Sequence, residues 1–262
     1  MAKYFAKEKP EGVPEDQLVS LIEFDIFEKP WNTFIVLDSC RLYEFYYHAL
    51  KLMKKKCRLE SRFSTGGDTE EFLSTQMCGK DFSDTTILTA NPMLNNGWLT
   101  KKGYEPIKAK NIEPVWDYGW DEELGTVPPK SMMDAFYKFK DEDKLIMWFM
   151  QPHWPFIEGD KLLMKKDIDM WKENPKYYQG NSEKSCWWAL RNGLTDIYTV
   201  SYYYKLSLIN IMSYVNEIVK NRKGTIIITS DHGNTYECPF GHNKELDLLE
   251  VRAVPWLTVS GE

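Results

Sequence analysis

A chain of 262 residues that is 43% hydrophobic carries enough apolar surface for a sizeable core, which argues against disorder over most of its length. A formal net charge of −6 and a pI of about 5.4 argue against a general nucleic-acid binder. Five cysteines, odd in number and without a CxxC pair, support neither a disulfide framework nor a zinc ribbon.

Residues 1–20 are charged and carry Pro10 and Pro14, so they read as an arm leading into one α/β domain over residues 21–262. The arm lacks the apolar segment of a secretory signal, and no window approaches the roughly 18 apolar residues of a membrane span. A reducing, cytoplasmic compartment is the expectation, with no membrane span and no nucleic-acid partner.

Residues 32–37 (NTFIVL) predict a buried strand, stopped by Asp38 and followed by a helical pattern from about residue 39 to residue 56. Asp38 is placed to cap that helix. Residues 58–63 lead into Ser64-Thr65-Gly66-Gly67-Asp68-Thr69, a glycine turn that opens a helix over residues 70–77. Residues 85–90 (TTILTA) predict a strand ending in Asn91-Pro92.

Residues 93–130, rich in Pro, Gly, Asn and Trp, read as loops and short elements over one end of the sheet. A helix over 131–140 precedes the strand 144–150 (KLIMWFM), which Gln151-Pro152-His153-Trp154-Pro155 closes. Residues 158–190 read as a surface insertion with weak helices. A long helix over 195–221, apolar at Leu206, Ile209, Val215, Ile218 and Val219, feeds the strand IIIT through Gly224. That strand runs into Ser230-Asp231-His232-Gly233, and 251–259 (VRAVPWLTV) predicts the last strand.

Strands alternating with helices predict an α/β fold: a three-layer sandwich whose mostly parallel central sheet is flanked by helices. The informative feature is where the polar residues fall. Asp38, His153 and Asp231-His232 each follow a predicted strand, and open α/β sheets hold ligands at the carboxyl ends of their strands.

The blocks FIVLDSCR (34–41), STGGDTEEFL (64–73), FMQPHWPFI (149–157) and ITSDHGNTYECPFGH (228–242) resemble, in that order, the sulfatase-like branch of the alkaline phosphatase superfamily. The resemblance implies an alkaline-phosphatase-like fold with Asp38, Thr69, Asp231 and His232 as metal ligands and Thr69 also as the nucleophile. His153 and His242 would bind the substrate's non-bridging oxygens, protonate the leaving group or hold a second metal. The family's two-metal members carry a further Asp or a Glu-x-Pro-Asp-x-x-Gly-His block. WFMQPHWPF stands there instead, which favours one divalent ion. Zinc or manganese suits the set, with magnesium or calcium as alternatives.

The implied reaction is hydrolysis or transfer of a phosphate mono-, di- or phosphonate ester through a covalent threonine intermediate. A threonine hydroxyl needs activation, which a cation held by carboxylate and imidazole supplies. Glycines before Thr69 would let the backbone approach a phosphate, and the helix start adds N–H donors. Arg41 and Arg62 are the nearest anion clamps by sequence. The partner is a small-molecule or glycan-linked anionic ester.

Alternatives stay open at this level. Asp38 alone suits an N-cap, and Ser64 and Thr65 compete with Thr69. A sulfatase is the runner-up, although no cysteine starts the Cys/Ser-x-Pro-x-Arg motif that typical sulfatases modify. A non-catalytic, metal-containing binding module would use the aromatic middle: Trp98, Trp116, Trp120, Trp154, Trp187 and Trp188.

Overall fold

The computed structural model describes residues 26–27, 29–173 and 185–260. The arm expected over residues 1–20 lies outside them, as do residues 174–184 of the expected insertion. In chain order the strands are β1 (Thr33–Leu37), β2 (Cys57–Phe63), β3 (Asp81–Thr89), β4 (Lys108–Pro114) and β5 (Lys144–Phe149). A small hairpin, β6 (Ile157–Glu158) and β7 (Lys161–Leu162), precedes β8 (Thr225–Thr229) and β9 (Ala253–Ser260). The helices are α1 (Leu42–Glu44), α2 (Thr69–Gln76), α3 (Asn96–Lys101), α4 (Val115–Tyr118) and α5 (Pro129–Phe139). They continue as α6 (Lys165–Glu173), α7 (Cys186–Arg191), α8 (Ile197–Asn221) and α9 (Leu249–Arg252).

A seven-stranded sheet in the order β2-β9-β8-β1-β5-β3-β4 forms the middle layer. β8, β1, β5, β3 and β4 run parallel, and β9 runs antiparallel to both β8 and β2. β1 lies between β8 and β5 and is buried along its whole length, as its uninterrupted apolar run requires for a strand covered on both faces. Alternation sends Ile35 and Leu37 to one face, against Leu208, Ile211 and Val215 of α8. Phe34 and Val36 go to the other face, against Phe72 and Leu73 of α2 and Leu99 of α3. Each fully buried Leu, Ile or Phe there contributes about 1.5–3 kcal/mol. Helices on both faces make the expected three layers.

Three local expectations change. The helix expected over 39–56 is α-helical only at α1, then winds as a π turn over Phe45–Ala49 and a 3-10 turn over Leu50–Leu52. An apolar pattern that buries Phe45 and Ala49 does not distinguish these windings. Asp38 does not cap it, because Arg41 occupies the N-cap position. Residues 93–130 hold a strand, β4, as well as loops. Its sequence, KAKNIEP, is polar because it is the half-exposed edge of the sheet.

Candidate active site

The parallel strands deliver their polar termini to one edge. Leu37 pairs with Phe149, and the Asp38 N–H bonds Phe149 O at 3.1 Å, so Asp38 lies beside the end of β5. Val36 pairs with Thr229, which brings Ser230-Asp231-His232 alongside. Asn91, at the end of β3, donates to Asp38 Oδ2 at 2.7 Å, and the Trp148 indole donates to the same oxygen at 3.2 Å. A fold that buries β1 thus carries a carboxylate into the interior with two donors on one oxygen.

Thr69 arrives from the other direction, as the first residue of α2. Asp68 is the N-cap, with its Oδ1 accepting from Glu71 N at 2.8 Å, and Glu71 Oε2 accepts in return from Gly67 N at 2.8 Å. This is the reciprocal pairing of a capping box, displaced by one residue. Phe72 packs edge-on against Trp148 with ring centroids 5.6 Å apart, docking the helix on the sheet. The outcome is a short contact: Thr69 Oγ1 donates to Asp231 Oδ2 at 2.8 Å and lies 3.5 Å from His232 Nε2.

The orientation of His232 follows from its neighbours. Its Nδ1 lies 2.9 Å from Gly233 O, which only accepts, so Nδ1 carries the proton. Nε2 is left as a lone pair, 3.4 Å from Asp231 Oδ2 and 4.0 Å from Asp38 Oδ1. Asp38, Asp231 and His232 are buried, and one ligand atom of each lies within 4.8 Å of the others. Burial, reinforced by the like charge of Asp231, pushes the Asp38 carboxyl well above the usual carboxylate range.

These residues fit a divalent cation. Asp38 Oδ1 is buried and accepts no hydrogen bond, which is costly for a carboxylate oxygen unless a positive group meets it. Asp38 Oδ1, Asp231 Oδ2, His232 Nε2 and Thr69 Oγ1 are the atoms that would hold the ion. The imidazole is already fixed by a backbone carbonyl on its other nitrogen, as metal-binding histidines usually are.

His242 and His153 stand next to this group. The His242 ring centroid is 4.2 Å from that of His232 and 5.3 Å from that of His153. Burial first, then the His232 and His153 rings, hold the His242 imidazole well below its ordinary pKa. His153 Nδ1 bonds Trp154 O, so its proton too is on Nδ1. Asp38, Thr69, His153 and His242 all line a cavity of about 700 Å³, together with Trp120, Trp154, Glu122, Glu123 and Lys172.

Arg41 and Arg62 do not line the cavity. Arg41 reaches one turn ahead to Glu44 at 2.7 Å and stacks on Tyr236, its Cζ 3.8 Å from the ring centroid. Arg62 pairs with Glu60, because residues two apart on a strand share a face. The glycines also serve another purpose than the one expected. A Cβ on Gly66 would meet Phe72 N at 2.4 Å, and one on Gly67 would meet Asn243 O at 2.5 Å. The space they leave is filled by the chain itself. Of the rival hydroxyls, Ser64 bonds Asp231 O and Thr65 lies 2.6 Å from Thr75 Oγ1.

Sequence reasoning gave Asn91 and Trp148 no part in the site and placed Asn234 only within the block ITSDHGNTYECPFGH; all three touch the site residues without belonging to them. Asn91 had a usable signal, since it ends a parallel strand at the same edge. Asn234 had its place directly after Asp231-His232-Gly233, and Trp148 had none.

A mostly parallel seven-stranded sheet with helices on both faces is the three-layer α/β sandwich that the sequence pattern predicts. No protein-family model and no curated protein matches the chain in sequence. Among solved structures, it is similar to the C-terminal periplasmic domain of EcEptC from Escherichia coli in complex with Zn. The TM-score is 0.56 at 10% identity, over 88% of this chain and 72% of that one. It is also similar to the soluble domain of lipooligosaccharide phosphoethanolamine transferase A from Neisseria meningitidis. There the TM-score is 0.52 at 10% identity, over 87% and 75% of the two chains. The C-terminal periplasmic domain of phosphoethanolamine transferase EptC from Campylobacter jejuni gives 0.51 at 11%, over 86% and 77%. At these identities the likeness is one of fold. No helix among the described residues is long and apolar enough to cross a membrane.

Proposed function

We propose that the protein is a metal-dependent hydrolase or transferase of phosphate esters that works through a covalent intermediate on Thr69. The observation that carries this reading is the Thr69 hydroxyl donating to Asp231 Oδ2 at 2.8 Å, inside a buried group of two carboxylates and an imidazole. A structural threonine at a helix start would cap that helix, and here Asp68 does so instead. The similarity in fold to two domains named as phosphoethanolamine transferases, and to another domain solved in complex with Zn, supports the same reading.

A bound divalent cation would favour the alkoxide form of Thr69 and neutralise charge on the substrate oxyanion. The chain's own residues do the rest. Asp231 Oδ2 accepts the hydrogen bond that orients the Thr69 hydroxyl, and α2 fixes the Oγ1 position so that attack needs little reorganisation. The new Thr69 oxygen–phosphorus bond forms as the ester bond breaks, and the alcohol leaves with the proton that Thr69 gives up. Water or a second alcohol then attacks the same phosphorus and frees Thr69. His242 and His153, with their protons on Nδ1, offer Nε2 as the acceptor for the proton of that incoming group.

The substrate is proposed to be an anionic ester, small or glycan-linked, and the ion zinc or manganese. A reducing compartment remains part of the proposal, since Cys40, Cys57, Cys78, Cys186 and Cys238 are all free thiols. Elemental analysis of the purified protein, joined to turnover of nitrophenyl phosphate, diester, phosphonate and sulfate substrates, tests the reading. Metal binding with cleavage of a phosphorus ester is expected. A protein that takes up no metal and cleaves no ester under any supplement overturns it, and preference for the sulfate ester would favour the sulfatase instead.

A further inference from the structure

Asn234 lies in the loop after β8 and is 1% exposed, and its amide reaches both the turn after β1 and a later turn of its own loop. Its Nδ2 donates to Ser39 O at 3.1 Å and contacts Ser39 Oγ. Its Oδ1 lies 2.6 Å from His242 Nδ1. Ser39 O can only accept, which settles which end of the Asn234 amide is nitrogen. Oδ1 therefore faces His242, and His242 Nδ1 must be the protonated nitrogen. The lone pair falls on Nε2, in a ring that lines the cavity.

The Ser39 end of this bridge is unusual. Ser39 has φ 62°, a backbone conformation that a non-glycine residue keeps only where its surroundings enforce it. The enforcement is visible. Ser39 N donates to Asp231 Oδ1 at 3.0 Å, Cys40 N to Ser230 Oγ at 2.7 Å, and the Tyr204 hydroxyl to Ser39 O at 2.9 Å. Tyr204 also accepts from Arg41 N at 2.8 Å. This turn aims Asp38, its immediate neighbour, at Asp231 and His232. Among the described residues, Asn234 is the partner of the turn that also holds His242.

We propose that Asn234 is a positioning residue: it couples the turn that carries Asp38 to His242 and holds His242 as the Nδ1–H tautomer. The proposal rests on the function proposed above for its catalytic meaning, because His242 matters to turnover only on that reading. The tautomer itself is independent of it. An imidazole with no fixed partner on Nδ1 is free to exchange between tautomers, so without the Asn234 acceptor His242 would populate the Nε2–H form. Nε2 would then be a donor, and would no longer accept a proton or meet a cation.

The test is long-range proton–nitrogen NMR on the full-length protein with 15N-labelled histidine, at a pH where the rings are neutral. Wild type, Asn234→Ala and Asn234→Asp are compared with chelator and after supplementation with zinc or manganese. The wild-type His242 signal is expected to show a protonated Nδ1 in the metal-free protein. Asn234→Asp, which keeps an acceptor in place, retains that signature, and Asn234→Ala loses it. In turnover, Asn234→Ala is expected to lower kcat by about 10–100-fold with little change in KM, as losses of partners that orient active-site ligands do. Asn234→Asp recovers part of it. A wild-type His242 protonated on Nε2, or an Asn234→Ala protein that keeps Nδ1–H or wild-type kcat, overturns the proposal. A tautomer switch in a protein that cleaves no ester upholds the tautomer assignment and counts against the proposed function.

Discussion

The hydroxyl of Thr69 and the carboxylate of Asp231 meet at 2.8 Å although 162 positions separate them in the chain. Two unrelated devices produce the contact. The parallel β1–β8 register sets Asp231, and the N-terminus of α2 sets Thr69. Replacing Thr69 with Ala should therefore abolish turnover, by at least about a thousandfold, while the fold and metal content persist. Thr69→Ser should keep measurable activity because the Oγ remains. Steady-state kinetics with matched metal analysis check both outcomes, and an active Thr69→Ala enzyme would remove the covalent intermediate.

Asp38 Oδ1 is buried without a hydrogen-bond donor, beside the second carboxylate of Asp231. Asp38→Asn keeps the shape, and its carbonyl oxygen can still accept from Asn91 and Trp148. The expected effect changes sign with the ion. In chelator the variant should be more stable than wild type, by about 1–3 kcal/mol, since a buried like-charge pair is relieved. With zinc or manganese present it should be the less stable of the two. Thermal unfolding under both conditions reads this directly, and a variant destabilised equally in both would refute the ion-binding role of Asp38.

Removal of the ion should be visible in the wild type too. A ligand at 100 times its dissociation constant stabilises the native state by about 2.7 kcal/mol. For a chain of this size that corresponds to a Tm rise of about 5–10 °C. A Tm that is indifferent to chelator and to every divalent ion would contradict the site.

Gly233 follows His232 because backbone passes where a side chain would stand. A Cβ there would lie 2.2 Å from Glu250 O, and Gly233 N bonds Val251 O at 2.7 Å. Gly233→Ala must push two backbone segments apart, at an expected cost of about 2 kcal/mol or more. Chemical denaturation measures the cost, and a neutral effect would mean that the Glu250 segment yields freely.

Arg222 ends α8 and is 7% exposed, with its guanidinium on Thr33 Oγ1 and on the carbonyls of Asn32, Lys140, Glu142 and Asp143. It ties together the starts of β1 and β5, at the end of the sheet opposite the site. Arg222→Met should cost about 2–4 kcal/mol by leaving those carbonyls unpaired. Arg222→Lys should rescue little, because an ammonium cannot reproduce the planar fork. Turnover per folded molecule should stay unchanged, and a parallel loss of kcat would contradict a purely structural role.

Much of the site was legible because parallel sheets expose their logic in sequence. A run such as FIVL or IIIT must be buried, and whatever polar residue ends it must lie at the sheet's edge, so Asp38 and Asp231-His232 could be named in advance. Arg41 and Arg62 were misplaced for the complementary reason. Proximity in sequence to a site residue says nothing about which carboxylate a long side chain will find, and Glu44 and Glu60 were nearer. The edge strand β4 was hidden because half-exposed edges carry polar residues, and the π and 3-10 turns after α1 because all three windings bury the same side chains.

The sequence by itself determined the α/β layering, the strands that end at the site and the side chains placed at those ends, because hydrophobic period and strand termini are local properties. Only the tertiary structure decided that β1 lies between β8 and β5, that Thr69 rather than Ser64 or Thr65 reaches the Asp231 carboxylate, and that Asn234 spans Ser39 and His242. The Thr69–Asp231 and Ser39–Asn234 contacts join segments far apart in the chain. Their geometry is set by strand register and helix docking, which depend on the packing of the whole core rather than on any one stretch of it.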